Sequence, residues 1–284
     1  MAGAVARKQM PAKMGEGIEL RHQTISFSGQ DVIALHRHIR MQMKTLSVIT
    51  VTYNAEPTLE RTLKSVLEQS YPEIEHLIVD GKSKDGTVGL LQHYANEKMT
   101  WISEPDKGLY DAMNKATAMA KGDYLCFLNA GDTFFAPDSV ERMMHSFDDD
   151  HSPDILYGET AIVDESGTFL HMRRLKAPAV LTWKSFRLGM VVCHQAFIVK
   201  KELFEPYDLS YRFSSDFDWC IRMMKKAKTM LHTRLILINY LHEGMTTNNR
   251  KASLKERYRI MVKHYGRLTT LLHHLWFVVR AVLR

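Results

Sequence analysis

Between Leu46 and Asp132, apolar runs and helix-like segments alternate four times, and each apolar run ends in a polar or acidic cluster. Leu46–Val51 leads into Thr52-Tyr53-Asn54, Ile74–Val79 into Asp80, Met99–Ile102 into Glu104-Pro105-Asp106, and Tyr124–Leu128 into Asn129-Ala130-Gly131-Asp132. The pattern predicts strands over Leu46–Thr52, Ile74–Asp80, Met99–Ser103 and Tyr124–Leu128. Helices are predicted over about Pro57–Gln69, Thr87–Tyr94 and Leu109–Ala120, with another starting near Pro137-Asp138. Leu59, Leu63, Val66 and Leu67 recur at helical spacing, Pro57 suits a first helical turn, and Gly122 suits a stop. Such alternation implies an α/β fold with a doubly wound, mostly parallel sheet. Ligands of these sheets sit outside the carboxyl ends of the strands, so the four polar clusters are expected along one rim.

Beyond about Ser152 the rhythm changes. Ile155–Tyr157 and Phe169–Met172 flank Asp164-Glu165-Ser166-Gly167, which reads as a hairpin turn. A helix near Thr182–Arg187, a strand near Gln195–Val199, a helix from Ser214-Ser215-Asp216 to about Ala227 and a strand over Met230–Ile238 follow. This half is expected to extend the sheet and build the second wall of a cleft. The resulting division is a nucleotide-binding half over 44–150, an acceptor half over 151–249 and basic amphipathic helices over 250–284. Residues 1–43 are weakly patterned and lack the apolar stretch of a secretory signal. They are expected to be poorly ordered, either a translated extension ahead of Met41 or Met43 or a docking arm.

On a helical wheel, Leu268, Leu271, Leu272, Leu275, Val278, Val279, Val282 and Leu283 share one side of Arg267–Arg284. Arg267, Thr269, Thr270, His273, His274, Arg280 and Arg284 share the other, into which only Phe277 and Ala281 stray. The segment is too interrupted to span a bilayer. It reads either as a helix lying in a membrane interface or as one packed on the domain. Charge bears on the choice. The net +6 is distributed as +4 over 1–44, +8 over 250–284 and −6 over the body between. An acidic body with basic ends argues against nucleic acid as a partner and points to an anionic membrane surface. Cys126, Cys193 and Cys220 are far apart with no CxxC, so a reducing cytoplasmic setting fits.

An acid-rich rim that holds a nucleotide requires a divalent cation, because carboxylates repel phosphate. Asp132 is the metal candidate: it follows a buried strand directly, and Gly131 permits a tight turn beside it. The same four residues would also make an ordinary turn. Asp80 can accept hydrogen bonds from a base or ribose, and Tyr53 can stack on a base. Lys107 and Asn114 flank a helix start, which favours phosphate. Asp216 and Asp218 open a later helix, where acids suit the dipole and could equally supply a general base. His194 and Gln195 could contact phosphate or acceptor.

Taken together and in order, the segments Val48-Ile49-Thr50-Val51-Thr52-Tyr53-Asn54, Ile78-Val79-Asp80-Gly81, Glu104-Pro105-Asp106-Lys107-Gly108-Leu109-Tyr110-Asp111-Ala112-Met113-Asn114, Asn129-Ala130-Gly131-Asp132 and His194-Gln195 resemble the family 2 glycosyltransferases of bacterial surface-polysaccharide assembly. The likeness covers about Leu46–Thr246. It implies a GT-A fold, a nucleotide-sugar donor with UDP as the prior, Mg²⁺ or Mn²⁺, and inversion at the anomeric carbon. The acceptor is expected to be a glycan or a lipid-linked sugar, the basic amphipathic end pointing to the latter at the cytoplasmic face of the membrane. By motif, Tyr53 and Asp80 would hold the base, Asp106 and Lys107 would lie near ribose and diphosphate, Asp132 would hold the metal and Asp216 would be the catalytic base. Two positions depart from the pattern: Asn129 stands where the metal motif has its first acid, and Ser215 stands where relatives often have Glu. A sugar-1-phosphate nucleotidyltransferase is the rival enzyme, but Thr52-Tyr53-Asn54-Ala55-Glu56 lacks the glycines and cations its phosphate loop would carry. A degenerate transferase acting as a membrane scaffold is the rival without catalysis.

Overall fold

In a computed structural model, which describes residues 43–148, 151–242 and 249–282, one nine-stranded sheet organises the chain. Its first half is built from β1 (Leu46–Thr52), α1 (Glu56–Leu67), β2 (Ile74–Asp80), α2 (Thr87–His93), β3 (Met99–Ser103), α3 (Leu109–Met119) and β4 (Tyr124–Phe127). β3, β2, β1 and β4 lie side by side in parallel. β1 and β4 are buried at every residue, so both read as continuous apolar runs covered on two faces. The chain winds outward from β1 through β2 to β3, then returns to place β4 on the other side of β1. That reversal creates a crevice between the carboxyl ends of β1 and β4.

The second half comprises β5 (Thr133–Phe134), α4 (Ser139–Met144), β6 (Ile155–Val163), β7 (Phe169–Met172), β8 (Phe197–Lys200), α5 (Ser215–Lys226) and β9 (Met230–Leu241). β8 joins β4 antiparallel, β6 joins β8 antiparallel, and β9 runs parallel to β6. β7 turns back on β6 through Asp164–Gly167, as the turn residues predict. The expected helix near Thr182–Arg187 is a 3₁₀ segment over Trp183–Leu188. Its first residue is held by a reciprocal cap between Thr182 and Ser185. Gln195 and Ala196, expected at the start of a strand, instead form with His194 a 3₁₀ turn that delivers Gln195 to the strand ends before β8 begins. β6 and β9 both run further than their sequence patterns suggest, and β9 carries the chain back to the rim at Leu241. The stretch 1–43, expected to be an extension, lies outside the described residues apart from Met43.

Two helices complete the chain, α6 (Arg250–Tyr265) and α7 (Arg267–Val282), separated at Gly266. α6 seals the core beneath α5 with Ile260, Met261 and Tyr265. Among the described residues no helix is long and apolar enough to cross a membrane.

Candidate active site

The loops after β1, β2, β3 and β4 surround a cavity of about 1010 Å³, closed on its far side by α5, the 3₁₀ turn at His194–Gln195, the end of β9 and the segment Leu209–Phe213. Tyr53, Asp106, Lys107, Asp132, His194, Gln195 and Asp216 all line it. The clusters after β1, β3 and β4 therefore share one rim, to which the β2 loop adds Gly81, and the second half supplies the opposing wall.

At one end, Tyr53 is 61% exposed and its ring faces Gly81. A Cβ built on Gly81 would lie 2.6 Å from Asp106 Oδ2 and 3.3 Å from Tyr53 Cδ2, so the missing side chain keeps a slot open between ring and carboxylate. Asp106 is fixed by the Gly108 N–H, which donates to its Oδ1 at 2.7 Å. Lys107 is exposed on the same lip, with its backbone N–H on Asp111 Oδ2 at 3.0 Å. Asp80 is fully buried and does not line the cavity. Its carboxylate accepts from Ser83 N at 2.9 Å, from the Ser83 hydroxyl, and from Ser103 Oγ at 2.6 Å. The Asn54 N–H in turn donates to Ser83 Oγ at 2.8 Å. Asp80 thus braces the loops after β1, β2 and β3 from behind, while Gly81 forms the surface.

At the centre stands Asp132, 4% exposed. Gln195 Nε2 donates to its Oδ2 at 2.7 Å and the Leu241 N–H to its Oδ1 at 2.9 Å. Burial pushes its pKa up to about 7, against the partial relief of those two donors and of Arg61. The turn that carries it is pinned by Thr62, whose hydroxyl accepts from Gly131 N at 2.9 Å and donates to the Asp132 carbonyl at 2.7 Å. Gly131 has φ 99°, a left-handed conformation that requires glycine, and its missing Cβ leaves room for Leu241 Cδ2, which would be 2.7 Å away. Beside it, Asn129 Oδ1 is buried with no hydrogen-bond partner.

This donor set fits a divalent cation that takes most of its ligands from a substrate. One carboxylate and one unsatisfied amide oxygen are hard oxygen donors, as Mg²⁺ and Mn²⁺ prefer. Among the described residues no group of three or more His, Cys, Asp and Glu side chains could hold a metal ion by itself.

At the other end is Asp216, at the N-terminus of α5. Tyr110 Oη donates to its Oδ1 at 3.0 Å, and the Phe217 N–H donates to the same oxygen at 2.9 Å. Asp218 occupies a different environment. It is fully buried and bonded to His264 Nε2 at 2.8 Å, Arg222 Nε at 2.8 Å and Lys263 Nζ at 3.0 Å. Burial alone would raise its pKa, but these three partners outweigh it and hold the carboxyl well below the usual range. Asp218 locks α5 to α6, and Asp216 is the acid presented to the cavity.

His194 is packed rather than poised. Its ring stacks on Phe127 with centroids 5.0 Å apart, and its Nε2 is 2.7 Å from the Tyr207 hydroxyl. Burial drops its pKa to about 4, so it is a neutral wall at physiological pH. Asn114, expected near phosphate, does not line the cavity. Its amide clasps the backbone of Tyr207 from both sides, at 2.8 and 3.2 Å, which corrects its role to bracing. Tyr110 escaped the sequence reading although it lies within the Leu109-Tyr110-Asp111 stretch. Its signal was an aromatic hydroxyl at a helix start facing the rim.

Comparison with known proteins agrees with this geometry. The family model described as Glycosyl transferase family 2 matches residues 47–207. An uncharacterized glycosyltransferase of Mycobacterium tuberculosis is 34% identical over 183 residues, covering 63% of this chain and 68% of that protein. The putative teichuronic acid biosynthesis glycosyltransferase TuaG of Bacillus subtilis is 29% identical over 216 residues, covering 74% and 84%. Among solved structures, S. aureus TarS 1-349 in complex with UDP-GlcNAc superposes with a TM-score of 0.62 at 20% identity, over 76% of this chain. The match spans 64% of that structure's chain, just under two thirds. The mannosyltransferase PcManGT from Pyrobaculum calidifontis, in complex with GDP-Man and Mn²⁺, gives a TM-score of 0.57 at 16% identity, over 81% of this chain and 70% of that one. These two structures share the fold.

Proposed function

The chain belongs to glycosyl transferase family 2, and from that premise we propose that it moves a sugar from a nucleotide-sugar donor, a UDP-sugar, to a hydroxyl of a glycan or lipid-linked acceptor in cell-surface polysaccharide assembly, with inversion at the anomeric carbon. The observation that carries the reading is that Asp132 and Asp216 open into one cavity from opposite halves of the sheet, with Tyr53, Asp106 and Lys107 along the same rim. Relatives named for teichuronic acid and for PGL/p-HBAD biosynthesis support the pathway class, and the UDP-GlcNAc complex of a structural neighbour supports the donor class.

In this reading the base stacks on Tyr53 in the slot beside Gly81, and Asp106 and Lys107 face the ribose and diphosphate. Asp80 acts on the base end through the loops it braces. Asp132 and Asn129 would hold Mg²⁺ or Mn²⁺. When bound, the cation neutralises charge on the departing diphosphate. Gln195 and the Leu241 N–H hold the Asp132 carboxylate in position. Asp216 accepts the proton of the acceptor hydroxyl as that oxygen bonds to C1 of the sugar. The bond from C1 to the diphosphate oxygen breaks, and the nucleoside diphosphate leaves with the electron pair. Tyr110 and the Phe217 N–H occupy Oδ1 of Asp216, which leaves Oδ2 for the incoming proton.

The test is turnover on a working donor–acceptor pair. Asp216→Asn is expected to lose at least about 100-fold in kcat, the lower range for a removed general base. Near-normal turnover in that variant, with its fold intact, would exclude the assigned base.

A further inference from the structure

α7 is built the wrong way round for a surface helix. An ordinary one turns its apolar stripe to the core and its polar residues to water. Here Thr270 is fully buried, and His273, His274 and Phe277 continue that inward stripe at helical spacing. His274 packs edge-on to Tyr258 of α6 at 5.2 Å, and Phe277 packs on the main core. The outward stripe is Leu268, Leu271, Leu272, Leu275, Trp276 and Val279, with Leu268 73% and Leu275 63% exposed. Thr270, His273 and His274 of the wheel's polar side are therefore packed, and Leu268, Leu271, Leu272, Leu275 and Val279 of its apolar side are presented to the outside. A contiguous row of six large apolar side chains is costly in water and marks a surface that meets an apolar partner.

Charge selects the partner. Residues 250–284 carry nine Lys and Arg against one Glu. Lys251, Lys255 and Arg259 recur at helical spacing along the exposed side of α6. Two copies of so basic a segment would repel each other, whereas an anionic bilayer attracts the cations and accepts the leucines and Trp276. We propose that the outward face of α7, with the exposed cations of α6, is a docking surface for an anionic phospholipid membrane, with α7 lying in the interface plane. α6 also bears on the cavity: Glu256 accepts the N–H groups of Arg212 and Phe213 at 2.9 and 2.8 Å, and both residues line the cavity. On the transferase reading, docking thus ties the membrane to the wall of the cavity opposite the nucleotide loops, where a lipid-linked acceptor would enter.

The test is flotation of the full chain with vesicles of phosphatidylcholine alone or of equimolar phosphatidylcholine and phosphatidylglycerol. The chain is expected to float with the second and to remain at the bottom with the first. Leu271→Ser with Leu275→Ser is expected to reduce flotation by about tenfold or more without lowering Tm, since both side chains leave water on docking rather than on folding. Lys251→Gln with Lys255→Gln should weaken it by a similar factor, and raised salt should do the same to the unmodified chain. Equal binding to both vesicles, or undiminished flotation of the Leu271/Leu275 variant, overturns the proposal. A dimer in solution that the leucine variant converts to a monomer, with no flotation, overturns it in favour of a second copy. Flotation needs no turnover, so a chain that floats yet transfers no sugar would contradict only the transferase reading.

Discussion

The Tyr110 hydroxyl lies 3.0 Å from Asp216 Oδ1 and donates to it, joining a residue of the nucleotide half to the candidate base of the other half. The Tyr110 ring stacks on Tyr207 with centroids 5.4 Å apart, and Asn114 fixes the Tyr207 backbone. The position of the carboxylate is thus set by α3. Tyr110→Phe is expected to lower kcat by about tenfold, the scale of one hydrogen bond to a charged acceptor, with little change in donor KM. An unchanged kcat would make Tyr110 a packing residue only.

Asp216 and Asp218 should separate cleanly in their variants. Asp218→Asn leaves Lys263 and Arg222 without their buried partner, and is expected to cost about 3 kcal/mol of stability. The folded fraction should keep its turnover. Asp216→Asn should behave oppositely, with Tm little changed and turnover lost. Denaturant unfolding alongside kcat checks both.

Asp132 gives a stability that depends on pH. Its folded pKa of about 7 lies above its ordinary value of 3.8. Between these values the folded chain holds a proton that the unfolded chain has released, so stability from this group falls as pH rises through that window. Above pH 7 the folded protein carries a buried carboxylate at a net cost. Asp132→Asn is therefore expected to raise Tm at pH 8 by roughly 5 °C and to have little effect at pH 4, while losing turnover. The same variant lowering Tm at pH 8 would show that the two donors on the carboxylate outweigh its burial.

Gly81→Ala tests the slot beside Tyr53. The added methyl must push aside Asp106 Oδ2, which would otherwise be 2.6 Å away. Donor KM is expected to rise by about tenfold, on the order of one lost charge-assisted contact, with kcat far less affected. An unchanged KM would place the base elsewhere.

The parallel half of the sheet was legible because its strands are short and punctuated by polar clusters, with β1, β2 and β4 almost wholly buried, and because α1 and α3 carry clear helical spacing. The rim followed from topology alone. The second half was less legible for local reasons. Gln195 reads as the start of a strand, yet its role comes from a 3₁₀ turn that brings its amide to Asp132, a residue 63 positions away in sequence. Asn114 sits in a phosphate-like context, but its partner is the Tyr207 backbone, 93 positions away. The choice between Asp216 and Asp218 depended on Lys263 and His264 of α6, a helix whose apolar pattern is weak. On α7 the wheel set Leu268, Leu271, Leu272 and Leu275 apart from Thr270, His273 and His274, but only packing shows which set turns inward.

Calorimetric titration of UDP in the presence and absence of Mn²⁺ asks whether this cavity holds a nucleoside diphosphate together with a divalent cation through Asp132. With one protein carboxylate available, Mn²⁺ alone should bind weakly, UDP alone weakly, and UDP with Mn²⁺ at least about tenfold more tightly, the 1.4 kcal/mol scale of a modest coupling. Asp132→Asn should abolish that coupling. Binding of UDP that is equally tight without Mn²⁺, or unchanged in the Asp132→Asn variant, would show that Asp132 holds no cation beside the diphosphate.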